Sequence, residues 1–338
     1  MPCANCANIH KVSSNYLTRQ VTVDGIDIVQ LVDSSHRMQL SLAPAIGNMA
    51  YEWLVGDRNF LYFPFASAAE LQRAPKLCGV PFLGPWANRI AGDSYWANGK
   101  HYRLNPELGN LRRDGNQYPI HGLLNYSSAW KLIEAKADDT GAWATSRLEF
   151  WKYPDLMAQF PFPHTLEMTY RVRAGSVEIV TGIQNHGTDP MPVAVGYHPY
   201  FQLHQVHRDA WHVQLAARDH FTLDAKLIPT GERKPLEFAN PHALAAGQLD
   251  DVFGGLIRGA DGLARFSVEG GTERITVSYG PKYSVAVVYA PKGQDFICFE
   301  PMSAITNGFN LAHDGVYTEL QSVAPGGAWK ESFWLHAE

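Results

Sequence analysis

The sequence predicts an all-β protein, a large antiparallel β-sandwich with few short helices. Three observations carry this. Apolar and polar residues alternate with a period of two along most of the chain, the pattern of strands with one buried face. Asp24-Gly25 and Asn98-Gly99 each separate two such runs, as tight hairpin turns do. Segments with helical periodicity are rare and short.

In chain order, Val21-Thr22-Val23 and Ile26-Asp27-Ile28-Val29 flank Asp24-Gly25, a pair that tolerates positive φ at both positions and so suits a type I′ turn. Met38, Leu40 and Leu42 alternate next. Tyr95-Trp96-Ala97 and residues 100–104 form a second hairpin about Asn98-Gly99. Leu166, Met168, Tyr170 and Val172 share one face of a strand; Gly175 breaks it, and Val177, Ile179, Thr181 and Ile183 resume. Strands follow at 211–215, 275–277, 285–289, 295–300 and 329–335, with helices expected only at 66–72 and 242–248. No linker or low-complexity tract interrupts the pattern, so residues 16–338 read as one sandwich domain and 1–15 as a loose N-terminal arm.

Composition narrows the function classes. Of 338 residues, 46% are apolar and 12% aromatic, which marks a folding chain with a large core. The net charge of −5 argues against a nucleic-acid groove, which needs a basic patch. No apolar stretch reaches the ~18 residues of a membrane helix, and the N-terminus lacks a signal-peptide apolar region, so a cytoplasmic protein, monomer or homodimer, is expected. Cys3 and Cys6 form a lone Cys-x-x-Cys; a zinc ribbon would need a second pair, and Cys78 and Cys298 are single and far apart. No metal is expected.

Four segments place polar residues in rigid or apolar frames. Val195-Gly196-Tyr197-His198-Pro199-Tyr200-Phe201 holds an imidazole among aromatic rings and a proline, either as a satisfied core histidine or as a proton donor and acceptor near neutrality. Gly79 to Ile90 is a glycine- and proline-rich loop ending in Asn88 and Arg89, whose donors suit several hydroxyls. Ile120-His121-Gly122 offers a loop histidine that could face a ligand or water. Glu300 closes the apolar strand 296–299, on the same face as Phe296 and Cys298, as a rim charge or a base with a raised pKa. Asp250-Asp251 is a weaker pair. Trp86 and Tyr197 are candidate apolar platforms for a ring.

Asn88-Arg89-Ile90, His121-Gly122, Gly196-Tyr197-His198-Pro199-Tyr200-Phe201, Leu249-Asp250-Asp251-Val252-Phe253 and Phe299-Glu300-Pro301-Met302 occur in the order seen in aldose 1-epimerases (galactose mutarotases), and the chain resembles that family. Each motif is short; the specificity lies in five in the right order, spanning residues 79–310. The resemblance implies a galactose mutarotase-like supersandwich with a monosaccharide bound in a groove on one sheet, and no cofactor. It implies that Glu300 is the base that takes the anomeric hydroxyl proton and His198 the acid that protonates the ring oxygen. Arg89, His121 and Asp250 match positions that hold sugar hydroxyls. Asp250 fits the family's Asp-x-x-Phe spacing; Asp251 stays open.

The implied reaction interconverts the α and β anomers of a free aldohexose of the glucose or galactose type. It opens a cyclic hemiacetal, lets the aldehyde turn and closes it again, which calls for one base and one acid with pKa values tuned towards neutrality. A non-catalytic carbohydrate-binding sandwich is an alternative, because fold does not decide function, but binding alone needs no base. A glycosidase would need a carboxylate pair, for which Asp250 and Glu300 are the only nominees. A cupin-like metal enzyme lacks its His-x-His spacing here; His204 and His207 read as loop residues. Within the superfamily, a hexose-6-phosphate epimerase would need added basic residues, which Arg112-Arg113 could supply.

Overall fold

The structure, a computed structural model, describes residues 15–237 and 239–338. The expected arm, with Cys3 and Cys6, lies outside these residues except at its last position. Two large sheets face each other. The nine-stranded sheet runs His242–Ala243, His212–Gln214, Ala264–Gly270, Glu273–Tyr279, Ala328–Ala337, Ser176–Asn185, His164–Arg173, Gly141–Glu149 and Lys131–Asp138 in spatial order. The opposing sheet runs Pro229–Pro235, Ala217–Leu223, Leu249–Leu256, Val285–Ala290, Ile297–Met302, Gly196–Tyr197 and Phe82–Leu83, with Tyr200–Phe201 also paired to Ile297–Met302. The paired strands are antiparallel, as the period-two pattern predicts.

That pattern explains how the sheets close on each other. In His164–Arg173 and Ser176–Asn185 every second side chain is buried, and these residues form the inner face of the nine-stranded sheet. Opposite them stand Phe299, whose ring lies 6.3 Å from that of Phe266, and Tyr197, 4.7 Å from Phe333. An N-terminal sheet of Tyr16–Val23, Ile26–Asp33, Met38–Ala43, Met49–Val55 and Arg58–Asn59 adds Leu31, Leu40 and Trp53 to the same core. Both anticipated hairpin turns form, with positive φ at Asp24 and Gly25 (51° and 81°) and at Asn98 and Gly99 (52° and 72°).

Helices are few among the described residues: Ala68–Arg73, Pro154–Gln159 and Gly308–His313. The first matches the expected helix at 66–72, and the other two were not anticipated. The helix expected at 242–248 does not form. His242–Ala243 instead pairs with His212–Gln214, and one 3-10 turn, Leu244–Ala246, follows before Gly247. The physical reason is length: Pro241 and Gly247 leave too few residues to repay helix nucleation, while the sheet edge offers backbone partners at once. The strand expected at 295–300 is Ile297–Met302. All six of its residues are buried, because one face meets the sandwich core and the other meets side chains described next. Among the described residues no helix is long and apolar enough to cross a membrane.

Candidate active site

Ile297–Met302 is held between Val285–Ala290 on one side and Gly196–Tyr197 with Tyr200–Phe201 on the other. Phe299 points into the sandwich, so Glu300 points out of it. Gly196 lets these strands approach: a Cβ there would lie 2.9 Å from the Pro301 carbonyl oxygen. The close approach brings His198 beside Glu300, with His198 Nε2 3.3 Å from Glu300 Oε1. Both side chains are almost sealed, Glu300 at 2% and His198 at 6% exposure. His198 is fixed from two directions. Its N–H donates to the Pro81 carbonyl at 3.1 Å, and its ring stacks on Tyr200 at 4.6 Å and 10°.

The pair lies in a cavity of about 250 Å³ whose walls also include Asn88, Arg89, Arg112, His121, Asp250, Tyr289 and Leu77. Loop geometry puts the polar wall in place. Asn88 and His121 both adopt positive φ, 56° and 63°, and the His121 N–H donates to the Asn88 carbonyl at 2.9 Å. Gly122 follows because only a glycine fits: a Cβ would stand 2.2 Å from the Gly84 carbonyl oxygen, at a φ of 66°. The Arg89 Nε donates to Asp114 Oδ2 at 2.6 Å and its Nη1 to Asn88 Oδ1 at 3.0 Å, so the guanidinium is pre-aimed. The His121 and His198 rings meet edge to face at 5.3 Å.

Burial governs the electrostatics. It pushes the Glu300 carboxyl well above the usual carboxylate range, and the Asp250 charge adds to the rise against the pull of Arg89. Burial also pulls His198 down to about 3, with the Arg112 charge acting in the same direction. His121 is held well below its ordinary value, by burial first and then by the charges of His198, Arg112 and Arg89. Asp250 is open to solvent by surface area yet hemmed in by neighbours, and that desolvation raises its pKa. Glu300 Oε2, His198 Nδ1 and His121 Nδ1 are buried without a hydrogen-bond partner among the described residues, a cost that marks sites built for something other than stability.

Six of the residues singled out from sequence thus share one cavity: Asn88, Arg89, His121, His198, Asp250 and Glu300. Tyr197 is a correction. Period two turns it to the opposite face from His198, where it is fully buried and its hydroxyl hydrogen-bonds Thr181 of the nine-stranded sheet. Trp86 is likewise core, and the ring beside His198 is Tyr200. Between the two aspartates, Asp250 lines the cavity while Asp251 turns away, 3.9 Å from His220 Nδ1. Sequence reading missed Tyr289, Leu77 and Asp114. Tyr289 could have been found, since period two sets it on the same face as Val287 of the neighbouring strand; Asp114 is a loop residue with no spacing signal. A larger groove of about 880 Å³ crosses the outer face of the nine-stranded sheet, but Arg147 and Glu167 in its wall pair with each other, and His186 meets the Thr165 hydroxyl at 2.8 Å. Among the described residues no three of His, Cys, Asp or Glu converge as a metal-binding group.

The fold defines a class, the β-sandwich proteins of galactose mutarotase-like architecture. A galactose mutarotase-like protein from Clostridium acetobutylicum superposes with a TM-score of 0.84 at 19% identity, covering 96% of this chain and 99% of that one. A galactose 1-epimerase from Lactobacillus acidophilus NCFM superposes at 0.72 with 16% identity, covering 96% and 99%. The chain belongs to the aldose 1-epimerase family: residues 43–336 match that family's model. Among curated relatives, the uncharacterized protein YihR of Escherichia coli (strain K12) is 28% identical over 242 residues, 69% of this chain and 72% of that protein.

Proposed function

We propose that this protein is an aldose 1-epimerase that interconverts the α and β anomers of a free aldohexose of the glucose or galactose type, with Glu300 as base and His198 as acid. The observation that carries the reading is the 3.3 Å contact between the two groups in a polar cavity. Arg89, braced by Asp114 and Asn88, supports it as a hydroxyl anchor, and His121 and Asp250 offer further partners from the same walls.

The proton count fits the pair. In the reactive form Glu300 is a carboxylate and His198 an imidazolium. Glu300 takes the C1 hydroxyl proton as the bond from C1 to the ring oxygen breaks, and His198 gives its proton to that oxygen. The aldehyde then turns about the bond to C2. While the ring is open the pair is a neutral acid and a neutral imidazole, the state that burial favours for both. Ring closure returns both protons. No nucleophile and no redox partner enters the balance.

Polarimetry of freshly dissolved α-D-glucose and α-D-galactose tests the reading. Equilibration speeds up with the protein, and Glu300→Gln and His198→Asn each remove about 10²–10⁴-fold of the rate. Unchanged rates in both variants would overturn it.

A further inference from the structure

A second chamber of about 420 Å³ opens beside the reaction cavity, and the two share four wall residues: Leu77, Arg112, Tyr200 and Tyr289. Its charged wall residues are Lys76, Arg112 and Lys292, all cationic. Asp295 lies three residues beyond Lys292 and is not part of the wall. The chain as a whole carries 33 acidic against 28 basic residues, so a wall of one positive sign runs against its composition. Elsewhere many surface cations are paired, as Arg113 is with Asp93 and Arg233 with Glu319. Among the described residues none of Lys76, Arg112 and Lys292 forms an ion pair.

We infer that this chamber receives an oxyanion substituent carried by the aldose, a phosphate or a carboxylate, while the sugar ring occupies the neighbouring cavity. The inference rests on the epimerase reading above and extends its substrate class from the neutral hexose to an aldose that bears an anion. Charge placement gives the direction. Asp250 lies in the reaction cavity, where Arg89 is already engaged by Asp114; Arg112 stands in the wall common to both chambers and draws the anion across. Arginine's planar fork and two mobile ammonium groups form a set that recognises oxyanions. The aromatic rings of Tyr62, Tyr200, Tyr289 and Phe296 pack against one another, with Tyr62 to Phe296 at 4.9 Å and Tyr200 to Phe296 at 5.0 Å. All four rings line the chamber together with the three cations. A neutral second sugar ring could lie on those rings, but it would leave unexplained three cations that have no carboxylate partner among the described residues.

The test compares four sugars on the whole protein: glucose, glucose 6-phosphate, glucuronate and the neutral disaccharide maltose. Affinity is read by calorimetry and anomer exchange by polarimetry, at low and high ionic strength. The variant is Lys76→Ala with Lys292→Ala, both exposed and both outside the reaction cavity. At low salt one or both anionic sugars bind on the order of tenfold more tightly than glucose, the size expected of a few solvent-exposed ion pairs. Salt erodes that preference. The double variant loses it and keeps its rate on glucose. The phosphate and carboxylate arms tell the two anions apart. Equal affinity for glucose and both anions overturns the inference, as does maltose binding best, and the epimerase reading then survives if glucose exchange is still accelerated. If exchange of no sugar is accelerated, the epimerase reading itself fails, and anion binding without exchange marks that case.

Discussion

In the proposed mechanism Glu300 and His198, 3.3 Å apart, set the pH behaviour of the site together. The active form holds one proton between them. As pH falls through the lowered His198 value, near 3, a second proton leaves Glu300 neutral beside an imidazolium, and the base is lost. As pH rises through the raised Glu300 value, a carboxylate stands beside a neutral imidazole, and the acid is lost. The rate should therefore hold between the lowered His198 value and the raised Glu300 value and fall on both sides. A single steep step near pH 6.5, the value of a free imidazole, would contradict this. Asp114 makes a separate point. It touches Arg89 and does not line the cavity, so it is a positioning residue. Asp114→Asn should raise KM roughly ten- to a hundredfold, the equivalent of the ~1.5–3 kcal/mol of a charged hydrogen bond, and leave kcat nearly unchanged. Equal loss in kcat and KM terms would move Asp114 into the chemistry.

Ile297–Met302 and its neighbours show how far the sequence could be read. The alternation that places Phe299 inward also places Glu300 outward, so the side of the sheet that bears the site was legible from period two. The same rule separates Asp250 from Asp251 and sends Tyr197 to the core, where the residue type alone suggested a ring platform. Tyr197→Phe should cost about 1 kcal/mol of stability through the lost Thr181 hydrogen bond and leave KM untouched, which thermal melts and kinetics would show. A raised KM would return Tyr197 to the site. What alternation cannot give is the meeting of elements far apart in the chain. The contact of Asn88 with His121 depends on two loop residues at positive φ, and the bracing of Arg89 by Asp114 on a turn; neither leaves a periodic trace. The helix expected at 242–248 failed for a related reason, since an available sheet edge outcompeted a short helical pattern.

Across the whole molecule, burial is the agent that both stabilises the sandwich and tunes the site. His121, His164 and His198 are all held neutral by it, His164 at about 4 and His198 at about 3. In the unfolded chain each takes up a proton near pH 6.5, so below that value the unfolded state binds more protons and stability falls with pH. Calorimetry should show Tm dropping between about pH 7 and pH 5, with a shallower slope in His164→Gln, whose imidazole is buried away from the cavity. A Tm that holds constant over that range would contradict the burial account. Exchange spectroscopy by NMR tests the proposed acid–base pair of Glu300 and His198. With glucose or galactose at anomeric equilibrium, the protein should raise the α-to-β exchange rate, and Glu300→Gln and His198→Asn should each return it to within a small factor of the uncatalysed rate while keeping the native fold. Exchange that stays fast in both folded variants would show that the pair does not carry the reaction.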